Sequence, residues 1–114
     1  NPHQMKLKDI VEKLNLTVVA GIEGLDKEVT GGYTSDLLSD VMGNAESGMI
    51  WITLQTHKNV MAIASLKDMA AVLLVKGLQP EPAMAEQANE EGITILSTDL
   101  SAFEMSGKLY QILG

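Results

Sequence analysis

The chain has 114 residues, is 46% hydrophobic, contains no cysteine and no arginine, and carries a formal net charge of -7. That length suits one domain, and that apolar content fills one core without disulfides or zinc. Lysines scattered at Lys6, Lys8, Lys13, Lys27, Lys58, Lys67, Lys76 and Lys108 make no basic patch, which excludes nucleic acid and an anionic membrane as partners.

The absence of thiols removes cysteine nucleophiles and fits a reducing, cytoplasmic setting. Nothing resembles a signal peptide, and the longest apolar run, Met69 to Val75, is far short of the ~20 residues that cross a bilayer. Asn1-Pro2-His3-Gln4 precede a Met5 that reads as a natural start, so they are set aside as a cloning remnant and His3 is left out of the functional reasoning. The domain is then residues 5–114.

Apolar spacing at Leu7, Ile10, Val11 and Leu14 predicts a helix that stops at Asn15. Leu16 to Ala20 is a β-branched run that reads as a strand ended by Gly21. A turn covers Gly21 to Asp26, and Glu28 to Tyr33 reads as one extended piece broken by Gly31-Gly32. Ser35-Asp36 opens a helix with Leu37, Leu38, Val41 and Met42 on one face, ending near Gly43 or Asn44.

Met49 to Leu54 is a strand of buried type, and Thr56 caps a helix striped by Val60, Met61, Ile63 and Ala64, with Leu66 a further candidate for the stripe. Ala70 to Val75 is continuously apolar, as a parallel strand covered on both faces should be. After a loop from Lys76 to Pro80, Pro82 suits the first turn of a helix that runs to Glu91 and ends at Gly92. Ile93 to Ser97 is the last strand, and Thr98 or Asp99 caps a final helix carrying Leu100, Phe103, Met105, Leu109 and Ile112. The β-α-β-α-β-α order from Met49 onward predicts a three-layer α/β/α domain around a mostly parallel sheet.

The stretch Leu25-Asp26-Lys27-Glu28-Val29-Thr30-Gly31-Gly32-Tyr33-Thr34-Ser35-Asp36-Leu37-Leu38-Ser39-Asp40 resembles the DRTGG domain family, with Lys27 where that family usually has arginine. Trp51 to His57, and Leu96-Ser97-Thr98 through Phe103-Glu104, are also similar to its free-standing members. The resemblance implies a regulatory unit. Domains of this kind sit beside CBS domains in nucleotide-regulated pyrophosphatases and in some phosphotransacetylases. Their fold is similar to the N-terminal domains of HPr kinase/phosphorylase and of Mur ligases. In the pyrophosphatases the domain belongs to a dimeric regulatory region, which implies a homodimer here and a partner enzyme.

The residues themselves argue against phosphoryl transfer. Gly43-Asn44-Ala45-Glu46-Ser47-Gly48 has two glycines at phosphate-loop spacing, but Met49 and Ile50 replace the required lysine and hydroxyl. The segment reads as a helix end and a turn. The candidate ligand residues are those expected near strand ends and helix starts. They are Thr30, Gly31, Gly32, Ser35 and Asp36; Gln55, Thr56 and His57; Lys76 and Gly77; and Ser97, Thr98 and Asp99.

Such a rim suits a small phosphorylated ligand or a nucleotide held by backbone amides. Three ordinary helix caps at three ordinary turns explain many of the same residues. His57 offers no nucleophile beside it, so no catalytic residue is assigned. Asp26, Asp36 and Asp40 form no dense ligand cluster, although Asp36 and Asp40 at a spacing of four would share a helix face. No metal and no cofactor is expected. The competing reading is a protein-interaction or dimerisation module without a small ligand. Met61, Met69 and Met105 would suit an adaptable contact surface, but they follow the apolar stripes of a core.

Overall fold

The computed structural model describes residues 5–113, so Asn1 to Gln4 and their reading as a cloning remnant lie outside it. The first half runs β1 (Met5–Lys6), α1 (Leu7–Lys13), β2 (Thr17–Ala20), a 3-10 turn (Ile22–Asp26), β3 (Glu28–Val29), β4 (Gly31–Thr34) and α2 (Leu38–Asn44). The second half runs β5 (Met49–Thr53), α3 (Asn59–Leu66), β6 (Ala71–Leu74), α4 (Pro82–Glu91), β7 (Thr94–Ser97) and α5 (Ala102–Leu113). No helix of the described residues is long and apolar enough to cross a membrane.

The main sheet has the order β2-β7-β6-β5-β4, and β1 pairs with β3 in a small antiparallel ribbon. Strands β4 to β7 are parallel neighbours, and β2 joins β7 antiparallel. One register row runs Tyr33, Trp51, Val72, Ile95 across four strands. Side chains alternate between faces along a strand. Ile50, Ile52, Ala71, Leu73 and Leu96 therefore share one core with Leu7 and Ile10 of α1 and Met105, Leu109 and Leu113 of α5. Trp51, Val72, Leu74 and Ile95 share the other with Val41 of α2, Val60, Met61 and Ala64 of α3, and Met84 and Ala88 of α4.

The three-layer α/β/α expectation is met, with a mostly parallel sheet. Each large aliphatic buried this way contributes roughly 1.5–3 kcal/mol, and Met61, Met69 and Met105 are all fully buried in the core. Because β4, β5, β6 and β7 step across the sheet in one direction, right-handed crossovers put α2, α3 and α4 on the same face. After β7 the chain leaves that face, and α5 crosses to the side of α1.

Local details correct several expectations. Glu28 to Tyr33 is not one piece: β3 belongs to the small ribbon and β4 to the main sheet. Gly31-Gly32 is strand rather than turn, and neither glycine has the positive φ of Gly21, Gly48, Gly77 or Gly92. A Cβ on Gly32 would stand 2.7 Å from Leu109 Cδ2, so the missing side chain makes room for α5.

Ser35-Asp36 precedes its helix, which starts at Leu38. Thr56 does not cap α3, whose Asn59 N–H donates instead to His57 Nδ1 at 3.1 Å. Nor do Thr98 and Asp99 cap α5: Ser101 Oγ accepts from Glu104 N at 3.2 Å, the bond an N-cap serine makes to the third helical residue. Leu66, a candidate for the α3 stripe, is 69% exposed, and Phe103, a candidate for the α5 stripe, is 88% exposed. Phe103 precedes Met105 by two residues, about 200° of helical turn, so the two cannot face the same core.

Candidate functional site

Strands β4 to β7 end at Thr34, Thr53, Leu74 and Ser97, and the loops that follow form the carboxyl rim of the sheet. Most of the rim's polar groups serve the fold. Asp36 Oδ1 accepts from Leu54 N at 2.8 Å and from Thr53 Oγ1 at 2.7 Å, which latches the β4–α2 loop to the end of β5. Trp51 Nε1 donates to the Ser35 carbonyl at 2.8 Å and secures the same loop from below. Gln55 N donates to Thr53 Oγ1, and the Thr56 carbonyl accepts from Glu81 N at 3.0 Å. His57 is exposed, with Nδ1 engaged by the Asn59 amide.

Lys76 N donates to the Leu100 carbonyl at 2.8 Å and Gly77 N to the Thr98 carbonyl at 2.9 Å. The Lys76–Gly77 turn, with positive φ at both residues, is thereby tied to the Thr98–Leu100 segment. Thr30, Gly31 and Gly32 are not part of the rim. Thr30 Oγ1 donates to the Ser47 carbonyl at 3.0 Å, and Thr30 N donates to the Gly48 carbonyl at 2.9 Å. Those contacts fix the start of β4 beside the start of β5, about 10 Å from the rim along a four-residue strand.

Ligand crevices in open parallel sheets form where successive crossovers leave to opposite faces. Here α2, α3 and α4 all leave to one face, so no such opening lies among β4, β5 and β6. The chain switches faces at the end of β7, and a crevice of about 490 Å³ is found there. It is lined by Leu14, Asn15, Leu16 and Thr17 from the α1–β2 connection, by Gln79, and by Ser97 to Leu100. Of the residues singled out in the sequence, Ser97, Thr98 and Asp99 line it, with Lys76 and Gly77 in the turn bonded alongside.

Gln79 and Asn15 were missed. Gln79 Nε2 reaches Ser97 Oγ at 3.3 Å, and Asn15 sits at φ +54 in the turn that closes the crevice. An asparagine just after a helix is the signal that marks the latter position. The lining is mainly hydroxyl, amide and backbone, with Asp99 its one charged side chain.

Asp36 and Asp40, weighed together as cation ligands, turn to different partners, and no cluster of three metal-ligating side chains occurs among the described residues. Asp40 Oδ1 accepts from Tyr33 Oη at 3.0 Å and from Asn44 Nδ2 at 3.1 Å. The hydroxyls of Ser35 and Tyr33 hold its carboxyl below the ordinary carboxylate range. Burial of the ring, then the bond to Asp40 and its charge, push the Tyr33 phenol up.

The signs differ between the two groups. Stability from Asp40 is present above the ordinary carboxylate pKa and is lost as pH falls through its lowered value. Stability from Tyr33 is present below the ordinary phenol pKa and is lost as pH rises through its raised value. Tyr33→Phe should therefore flatten both the acid and the alkaline limbs of a melting-temperature profile against pH. A profile of unchanged shape would remove this pair from the account.

The architecture defines a class before any relative is considered: an α/β/α domain with single-face crossovers between its parallel strands and a polar crevice where the chain changes face after β7. The model of the DRTGG domain matches residues 9–112, and the chain belongs to that family. A search of curated proteins finds no match. Among solved structures it is similar to the CBS and DRTGG domains of the regulatory region of Clostridium perfringens pyrophosphatase, solved with the activator diadenosine tetraphosphate. The TM-score is 0.67 at 16% identity, over 95% of this chain. The chain spans 46% of the length of that structure.

Proposed function

We propose that this chain is a non-catalytic regulatory domain that senses a small nucleotide or phosphorylated ligand in the crevice at the end of β7, and that it works as a homodimer alongside a partner enzyme. The crevice carries the reading. It lies where the chain changes face after β7, and it gathers Ser97, Thr98 and Asp99 with Gln79 and Asn15. Membership of the DRTGG family supports a regulatory role, and the activator bound by the pyrophosphatase region supports a nucleotide as the first ligand to try.

Titration calorimetry against adenine nucleotides, diadenosine tetraphosphate and sugar phosphates tests the ligand. Binding should weaken about tenfold or more in Gln79→Ala, a loss of ~1.4 kcal/mol. In Asp99→Ala an anionic ligand should bind more tightly, because one like charge leaves the crevice wall. No heat with any of these at millimolar concentration would sink the small-molecule reading. The second reading, an interaction module with no ligand, is favoured by one observation. A larger opening, about 840 Å³, is an apolar groove between α5 and the β4 edge, away from the crevice.

A further inference from the structure

Helix α5 carries two apolar stripes. Met105, Leu109 and Leu113 are buried against the sheet. Phe103, Gly107 and Tyr110 recur at i, i+4 and i+7, within roughly 60° of one another, on the outward side. Phe103 is 88% exposed and Tyr110 73%. With Gly32, Thr34 and Ile52 of the sheet edge they rim the 840 Å³ groove.

The outward stripe is self-complementary about Ser106-Gly107. Phe103 and Tyr110 flank that pair almost symmetrically, and Glu104 and Lys108 flank Ser106 at equal spacing. A second α5 laid antiparallel across the first would bring Phe103 of each copy to Tyr110 of the other. The same two-fold would bring Glu104 of each copy to Lys108 of the other, since an isologous contact makes every cross-contact twice. At the crossing point, the Cβ position of Gly107 has no atom within 4 Å, so the fold of one copy does not require a glycine there. A helix crossing does use one, because small residues let two backbones approach closely.

We infer that the outer face of α5, together with the groove against β4, docks a second copy of this chain through that two-fold. The inference rests on the reading of the chain as a self-associating regulatory unit and supplies the face on which it associates. The four aromatic rings would supply roughly half of a standard interface, about 1,600 Å² in total, and the groove floor at Gly32 and Thr34 extends the contact. Two chains of net charge -7 repel at long range, but at 0.15 M salt that repulsion is screened beyond about 8 Å. Glu104 and Lys108 are the charged side chains lining the groove, so the patch itself is neutral and its charges meet in opposite pairs.

Sedimentation velocity on the intact chain from 1 to 100 μM tests this, with thermal melts to confirm that each variant folds. The expected result is a wild-type dimer. Phe103→Ala with Tyr110→Ala should raise the dissociation constant at least tenfold and leave the fold intact, since both rings are exposed in one copy. Glu104→Lys and Lys108→Glu should each weaken the dimer, and combining them should restore it. A wild-type dimer that none of these variants affects would overturn the face while leaving the homodimer reading standing. A wild-type monomer at 100 μM would overturn both, and neither result bears on ligand binding at the β7 crevice.

Discussion

Trp51→Ala is expected to cost about 3–5 kcal/mol, the range for truncating a fully buried aromatic. Trp51 has no exposed surface and occupies the middle of the Tyr33–Trp51–Val72–Ile95 row. Removing it opens a cavity under α2 and α3 and leaves the Ser35 carbonyl without its 2.8 Å donor. Domains of this size are stable by only about 5–15 kcal/mol, so much of the reserve goes with one side chain.

Trp51→Phe separates the two contributions. It keeps most of the volume but not the indole N–H, and should cost about 1–3 kcal/mol. Urea denaturation followed by far-ultraviolet circular dichroism measures both, since the only tryptophan is the one replaced. An alanine variant within 1 kcal/mol of wild type would show that the row is not the centre of the core.

Gly21→Ala should be nearly as damaging through the backbone. Gly21 has φ +66, and a Cβ there would overlap the Ile93 carbonyl and stand 2.8 Å from Thr94 Cα. Both obstacles are main chain at the start of β7, so relief requires moving the β2–β7 pair. Gly21 N is also held by Asn89 Oδ1 at 2.8 Å, and its carbonyl accepts from Thr94 Oγ1 at 2.6 Å.

The expected loss is about 2–4 kcal/mol, combining the left-handed penalty with the overlap. Gly92→Ala is the internal control: its φ is +68 but no atom lies within 4 Å of its Cβ position. It should cost only ~1 kcal/mol. Equal losses in the two variants would mean that the conformation, and not the close approach to Ile93, dominates at Gly21.

Much of the fold is legible in the order of residues because much of it is local. The stripe from Leu7 to Leu14, the proline and glycine bracketing Pro82 to Glu91, and the apolar runs at Met49, Ala70 and Ile93 each carry their own period or punctuation. The misses have physical causes. Gly31-Gly32 lacks side chains whose alternation would reveal a strand, and only hydrogen bonding to β5 makes it one. Asp36 suits a helix start by residue type but found free donors at the end of β5. Ser101-x-x-Glu104 carries a helix-start signal that competes with Thr98 and Asp99, and the cap forms at Ser101.

The candidate site divides in the same way. Residue types and their position after strands were enough to single out Ser97, Thr98 and Asp99, since strand ends and helix starts are written locally. The location of the opening was not. That depends on strand order and on which face each crossover takes, and three crossovers on one face leave the end of β7 as the place where the layers part. By itself the sequence determined an acidic, cysteine-free α/β/α domain of the DRTGG family. Only tertiary structure decided that Thr30, Gly31 and Gly32 build a sheet edge and that Asp36 is latched to the end of β5. Those outcomes follow from pairings between residues distant in the chain, and no local pattern encodes them.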